Sequence, residues 1–304
     1  MHRKVITVLE GEGLLEKYLV PILAKTGALV RIVSHSPHKA LHLKTAGYPG
    51  QITIVPAGNY KTELLHKALK NSDVLLNLCD SGCSTFKRKM IKFNIKIPTL
   101  IAKLAKELNI KTVIHLSALN VNNIYDSSYA YYRYESEKSI QNQFVNSIVI
   151  RTSIMFGIED NFLYNFKKFI KNIPFFPITT KTLHKLQPIY AGDVAQVILK
   201  VIEQPQKYHH KIIALGGKEV FSLKKIISLV AEKVQQQIHF VHLPHILTCM
   251  ISEICRMFSS PLITKEQIQL LQHNNLIKKE NNLIFVDSFH IKQYTLTDFI
   301  KNKL

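Results

Sequence analysis

Short apolar runs alternate with amphipathic stretches through the first half of the chain. Residues 5–9, 29–34, 52–56, 74–78, 112–116 and 148–151 are rich in Val, Ile and Leu and read as strands. Between the first two, Leu14, Leu15, Leu19, Ile22 and Leu23 recur at helical spacing over residues 14–25. Further helical patterns fall near 38–46 and over 62–70, 98–108 and 129–144. Pro98 would stand in the first turn of its helix, where a missing N–H costs nothing. Parallel neighbours need a crossover, so strands separated by helices imply a doubly wound parallel sheet.

After Arg151 the rhythm loosens. Residues 173–188 hold three prolines and read as a long loop over the sheet edge. Helices over 193–202, 222–234 and 246–258 and strands over 211–215 and 238–241 follow. Residues 261–272 contain a further helix, with Thr264 as N-cap and Gln267 three residues on, as in a capping box. The expected architecture is α/β: a Rossmann-type core over residues 1–155 and a smaller mixed C-terminal lobe over 156–304. Residues 186–201 would return to the core.

Composition narrows the class. The chain has 304 residues and 46% apolar content, enough for a full core and too apolar for wholesale disorder. Forty Lys and Arg against 21 acids give +19, which favours acidic partners. The basic residues are spread evenly, with no arginine-rich arm, zinc-finger spacing or RNP-like strand, so nucleic acid is not the expected partner. Cys79, Cys83, Cys249 and Cys255 have no metal-ligand spacing and read as reduced thiols of a cytoplasmic protein; no metal is expected. Met1-His2-Arg3-Lys4 runs directly into a strand, so no secretory leader is expected. No stretch approaches the roughly 20 apolar residues of a spanning helix. Residues 246–258 are interrupted by Glu253 and Arg256, so any membrane contact would be peripheral.

The first candidate for chemistry is the turn Glu10-Gly11-Glu12-Gly13-Leu14-Leu15-Glu16. Strand, glycine turn and helix at this point begin a dinucleotide-binding βαβ unit. The fingerprint is damaged, because Glu16 stands where a third glycine belongs. Glu10 and Glu12 also add carboxylates where a pyrophosphate would meet the helix N-terminus. Carboxylates in a first helical turn equally suit the helix dipole with no ligand present. At the end of the second strand, Ser34-His35-Ser36 lacks the acid that holds the ribose of NAD. Arg31 and His35 would tolerate a 2′-phosphate, which favours NADP(H) over NAD(H); an ordinary polar strand end is the other reading.

Ser117 closes the fifth strand, Tyr129 follows twelve residues later and Arg133 one helical turn beyond. A serine to orient a carbonyl oxygen, a tyrosine to move a proton and a cation to lower its pKa are what carbonyl reduction needs. The cation is usually lysine, and arginine differs in shape and cannot deprotonate. Tyr134 and Lys138 form a competing YxxxK frame on another face of the same helix.

Taken together, these pieces resemble atypical short-chain dehydrogenase/reductases. More narrowly, they resemble the family of the alpha-subcomplex subunit 9 of respiratory complex I and its bacterial relatives. The specific stretches are Arg151-Thr152-Ser153-Ile154-Met155-Phe156-Gly157 with Glu159-Asp160-Asn161-Phe162, and Leu186-Gln187-Pro188-Ile189-Tyr190-Ala191-Gly192-Asp193-Val194-Ala195. Leu215-Gly216-Gly217 and Pro261-Leu262-Ile263-Thr264-Lys265-Glu266-Gln267 add two more. The resemblance selects the Tyr129–Arg133 frame. It implies a cofactor held by Gly11, Gly13, Leu14, Leu15, His35, Leu78, Cys79, Ser117, Tyr129, Arg133, Ser153 and Ile154. This chain departs from the family at Glu10, Glu16, His35, Arg133 and Thr152, and at Asn77-Leu78-Cys79-Asp80, which replaces a glycine-containing turn.

The resemblance implies an accessory or assembly subunit of NADH:ubiquinone oxidoreductase without turnover, bearing a structural or eroded NADP(H) site, or no nucleotide. Its partners would be complex I subunits and an anionic membrane surface, on the inner face of the energy-transducing membrane. The 246–258 segment would rest at that surface or be buried in the C-terminal lobe. Two alternatives stand beside it: an active NAD(P)H-dependent reductase or epimerase using Ser117, Tyr129 and Arg133, and a quinone-biosynthesis accessory protein.

Overall fold

The computed structural model describes residues 3–79, 87–124, 127–178, 184–242, 273–278 and 283–304. The helices expected over 246–258 and 261–272, with Thr264, and Asp80, Cys83, Cys249 and Cys255, lie outside the described residues. The strands are β1 (Val5–Leu9), β2 (Leu29–Ser34), β3 (Ile52–Pro56), β4 (Val74–Asn77), β5 (Thr112–Ala118), β6 (Ser147–Thr152) and β7 (Met155–Phe156). They continue with β8 (Phe175–Ile178), β9 (Lys185–Leu186), β10 (Ile189–Tyr190), β11 (Ile212–Leu215), β12 (Phe221–Ser222), β13 (His239–His242) and β14 (Leu283–Phe285). Among the described residues, eight of them form one parallel sheet in the order β14-β11-β6-β5-β4-β1-β2-β3. The order reverses between β1 and β4, which creates the switch-point crevice typical of Rossmann folds.

Helices cover both faces, so the central strands are buried on both sides and read as continuous apolar runs. The helices are α1 (Leu14–Lys25), α2 (Thr62–Leu69), α3 (Lys87–Ile91), α4 (Ile97–Glu107), α5 (Ser128–Gln143), α6 (Asn161–Asn172), α7 (Ala191–Glu203), α8 (Leu223–Lys233) and α9 (Leu296–Lys303). On one face, Leu15, Leu19 and Leu23 of α1 and Val194, Val197 and Ile198 of α7 pack on Ile6, Val8, Ile32 and Leu76. On the other, Leu65 of α2, Ile101 and Leu104 of α4 and Ile140 of α5 pack on Leu9, Val33, Leu75 and Val113. Neighbouring strand residues feed opposite cores because side chains alternate across a strand.

A third core gathers Phe156, Leu163, Phe166 and Ile170 with Ile226, Ile227 and Val230 of α8 and Phe299 of α9. The segment expected to be one long loop over 173–188 instead carries β8, which pairs with β13, and β9, which pairs with β12. Of its prolines, Pro177 stands in the two-stranded β8–β13 pair, where a missing N–H is tolerated at an edge, and Pro174 and Pro188 lie between strands. The stretch 38–46 is a 3₁₀ rather than an α-helix, Pro37–Ala46.

The family-like stretches work as joints. Asp160 caps α6 by accepting the Leu163 N–H and also accepts the Gly157 N–H at 3.0 Å. Asp193 accepts the Tyr294 N–H at 2.9 Å, tying α7 to the segment before α9. Gln187 donates its side-chain amide to the Gly217 carbonyl at 2.7 Å. A Cβ on Gly217 would lie 1.9 Å from the Pro188 carbonyl oxygen, so only glycine permits that approach.

Candidate functional site

The crevice lies where β1 and β4 end. After Leu9 the backbone turns through Glu10, whose φ of +78° belongs to the left-handed region that favours glycine. A Cβ on Gly11 would meet Ile32 Cγ2 at 2.5 Å and Ala40 Cβ at 3.1 Å. That glycine is therefore required by packing against β2. Gly13 is the N-cap of α1, which makes Glu16 its third residue.

The three carboxylates of the turn go to two places. Glu10 and Glu12 face the end of β2. Glu10 Oε1 lies 3.0 Å from His35 Nδ1, and Glu10 Oε2 accepts the Tyr60 hydroxyl at 2.9 Å. Glu12 accepts the Ser34 hydroxyl at 3.0 Å and lies 3.5 Å from Lys39 Nζ. Burial pushes the Glu10 carboxyl above its ordinary value, against the opposing pull of Tyr60 and His35. Glu10, Glu12 and His35 each bring one ligand atom within 4.8 Å of the others. Tyr60, Ser34 and Lys39 also engage those carboxylates, so their oxygens already have partners within the protein.

Glu16 turns the other way and is only 3% exposed. Its carboxylate lies against the Gly13 backbone: a Cβ on Gly13 would sit 2.5 Å from Glu16 Oε2 and 3.3 Å from Oε1. The N–H groups of Glu16 and Gly13 favour its charged form. A helix-third glutamate reaching back to the N-cap N–H is half of a capping box. Burial nevertheless pushes Glu16 up to about 7, helped by the negative charges of Glu10 and Glu12.

Across the crevice, Ser117 is inside β5, one residue before its end, and Tyr129 lies in the first turn of α5. Ser127 caps α5, accepting the Ala130 N–H at 3.3 Å. Ser117, Tyr129 and Arg133 are all buried, and the Arg133 guanidinium carbon lies 5.9 Å from the Tyr129 ring centre. Arg133 donates to the Leu116 carbonyl at 2.7 Å, the Cys79 carbonyl at 3.3 Å and Asn94 Oδ1 at 3.4 Å. Its fork thus fastens the ends of β4 and β5. Burial pushes the Cys79 thiol well up. Ser117 Oγ and Ser153 Oγ are buried without a hydrogen-bond partner among the described residues. Leu14 and Leu15 open α1, and Leu78 and Ile154 follow β4 and β6. The competing frame is on the outside: Lys138 is exposed, bonds Glu135 at 3.0 Å and lies 4.2 Å over the Tyr134 ring.

Sequence reasoning missed Tyr60, Lys39 and Asn94, which no motif marks. It also missed a buried chain in which Asn77 meets His115 Nδ1 and Ser136 meets His115 Nε2, each at 2.9 Å. Burial, with Arg133 nearby, keeps His115 neutral. An open cleft of about 510 Å³, lined by Lys4, Asp73, Lys111 and His209, lies instead where β4 and β5 begin. Ligands in such sheets bind at the opposite, carboxyl ends.

The fold and crevice define a Rossmann-type protein with a doubly wound parallel sheet. The chain belongs to the NmrA-like family, which it matches over residues 2–291. It is 29% identical over 233 residues to the mitochondrial NADH dehydrogenase [ubiquinone] 1 alpha subcomplex subunit 9 of Dictyostelium discoideum, covering 76% of this chain and 64% of that protein. The chain therefore matches less than two thirds of that relative's length. Against the Mus musculus subunit of the same name, identity is 26%, over 90% of this chain and 73% of the relative. A crystal structure of an NADPH-dependent quinone oxidoreductase from Escherichia coli, complexed with NADPH, superimposes with a TM-score of 0.74. It is 16% identical and covers 97% of this chain and 98% of the other. A dinucleotide needs the α1 N-terminus free for its pyrophosphate. Glu16 lies there and Glu10 and Glu12 flank it, so the residues present do not fit that group as they stand.

Proposed function

We propose that this chain is an accessory or assembly subunit of a respiratory NADH:ubiquinone oxidoreductase, with no turnover of its own. The observation that carries the reading is the 26–29% identity, over most of the chain, to proteins named as subunits of that complex. The site geometry supports it. Arg133 donates from Nη1 and Nη2 to strand-end carbonyls, and the turn that would take a nicotinamide nucleotide, NADP(H) or NAD(H), is lined with carboxylates. In this reading the Rossmann core is kept as a shaped docking body.

The subunit would sit on the inner face of the energy-transducing membrane. No helix among the described residues is long and apolar enough to cross a membrane. A net charge of +19 suits a position beside anionic head groups. Phe175 and Val241 stay exposed on the β8–β13 pair, α6 just before β8 in the chain exposes Lys168 and Lys171, and these apolar and basic side chains suit that contact. The test is removal of the chain from its own cells. Membranes should then hold less assembled, NADH-oxidising complex, with subcomplexes accumulating. An unchanged amount of intact complex would end the proposal.

A further inference from the structure

We infer that the Glu16 side chain is a built-in plug: its carboxyl group holds the place at the N-terminus of α1 that a dinucleotide pyrophosphate would take, and it closes the crevice to such cofactors. The inference deepens the structural role proposed above for the crevice, and rests on it.

Three observations converge. The carboxylate is buried and packed on the Gly13 backbone, so close that a side chain at position 13 would collide with it. It faces the N–H groups of Gly13 and Glu16, two of the donors that a helix start offers to a phosphate. The other carboxylates, Glu10 and Glu12, are held elsewhere by Tyr60, Ser34, His35 and Lys39, so neither competes for this place. A phosphate entering the turn would meet the Glu16 charge at contact distance, with Glu10 and Glu12 adding repulsion. With its own carboxyl group in place, the Gly13 and Glu16 N–H groups at the start of α1 face a protein oxygen in the position a nucleotide phosphate would otherwise take.

The test is titration calorimetry of the full chain with NADPH and NADH at about pH 8, where Glu16 is largely ionised. Glu16→Gly and Glu16→Ser are measured beside the parent. The parent should show no saturable binding at about 1 mM, and the variants should bind at least about tenfold tighter. Equal affinity in parent and variants, or no binding in any, would overturn the inference. Should both variants fail to fold, inorganic pyrophosphate is titrated into the parent while the Gly13 and Glu16 amide resonances are followed. Unmoved signals would support a filled place, and a saturable shift would overturn it. These experiments use the isolated chain, so their failure is distinct from absence of the chain from the respiratory complex.

Discussion

Glu16 carries the sharpest consequence at the scale of single residues. Its folded-state pKa of about 7 stands above the ordinary carboxylate value of 4.5. The folded chain therefore holds a proton in that interval that the unfolded chain has lost. Stability contributed by this group is present at low pH and is lost as pH rises from about 4.5 to 7. A shift of that size corresponds to about 3 kcal/mol. Asp160 and Asp193, both pushed by burial to about 6, lose stability in the same direction. Their share is common to parent and variant and cancels in the comparison. Glu16→Gln should thus become progressively more stable than the parent between about pH 5 and pH 8, measured by urea unfolding. A constant difference across that range would show that Glu16 does not titrate as described. The sequence displayed the three glutamates and their misfit with the fingerprint, but not where each carboxylate goes. Tyr60, Lys39 and Asn94 reach the crevice only through tertiary packing, and no local spacing encodes that.

At the scale of elements, the six strands of the first half were legible, and the short strands of the second half and the joints were not. Parallel strands buried on both faces leave an unbroken apolar run in the sequence, which is why the bounds of β1 to β6 differ from expectation by no more than two residues at either end. β5 runs two residues further than its apolar stretch because Ser117 and Ala118 pair with Arg151 and Thr152 of β6. β14 is only three residues long and carries too little pattern to read. The clearest joint is the ion pair between β6 and α5. Arg151 donates Nε to Glu137 Oε1 at 3.0 Å and Nη2 to Oε2 at 2.7 Å, with side chains 6% and 2% exposed. Its Nη1 also donates to Asn122 Oδ1 at 3.1 Å. Removing one partner strands a buried charge, so Glu137→Ala should cost about 3–5 kcal/mol by chemical denaturation. The double change Glu137→Leu with Arg151→Met should recover much of that loss, because an apolar pair needs no desolvated ions. A loss below about 1 kcal/mol in Glu137→Ala would mean that the pair is solvated and does not fasten α5 to the sheet.

Over the whole molecule, two kinds of conservation of form are separable. The sheet and its two flanking cores are those of a Rossmann-type fold, with a third core beside them. The joints that tie the third core to the sheet, Asp160, Gln187, Asp193 and Gly217, all fall in the stretches that resemble the complex I subunits. The departures collect in one crevice, at Glu10, Glu16, His35 and Arg133. In the accessory reading proposed above, a subunit that serves by shape loses nothing from this pattern. Fold class could be read from alternating runs alone. The role could not, because a Rossmann core hosts many functions and says nothing about partners.

The most direct measurement is co-migration. The chain is tagged in its own cells, the membranes are solubilised gently, and native gels are stained for NADH dehydrogenase activity. The account predicts the tagged chain within the active band, in amounts comparable to the other subunits. A chain found wholly in the soluble fraction and missing from that band would contradict it.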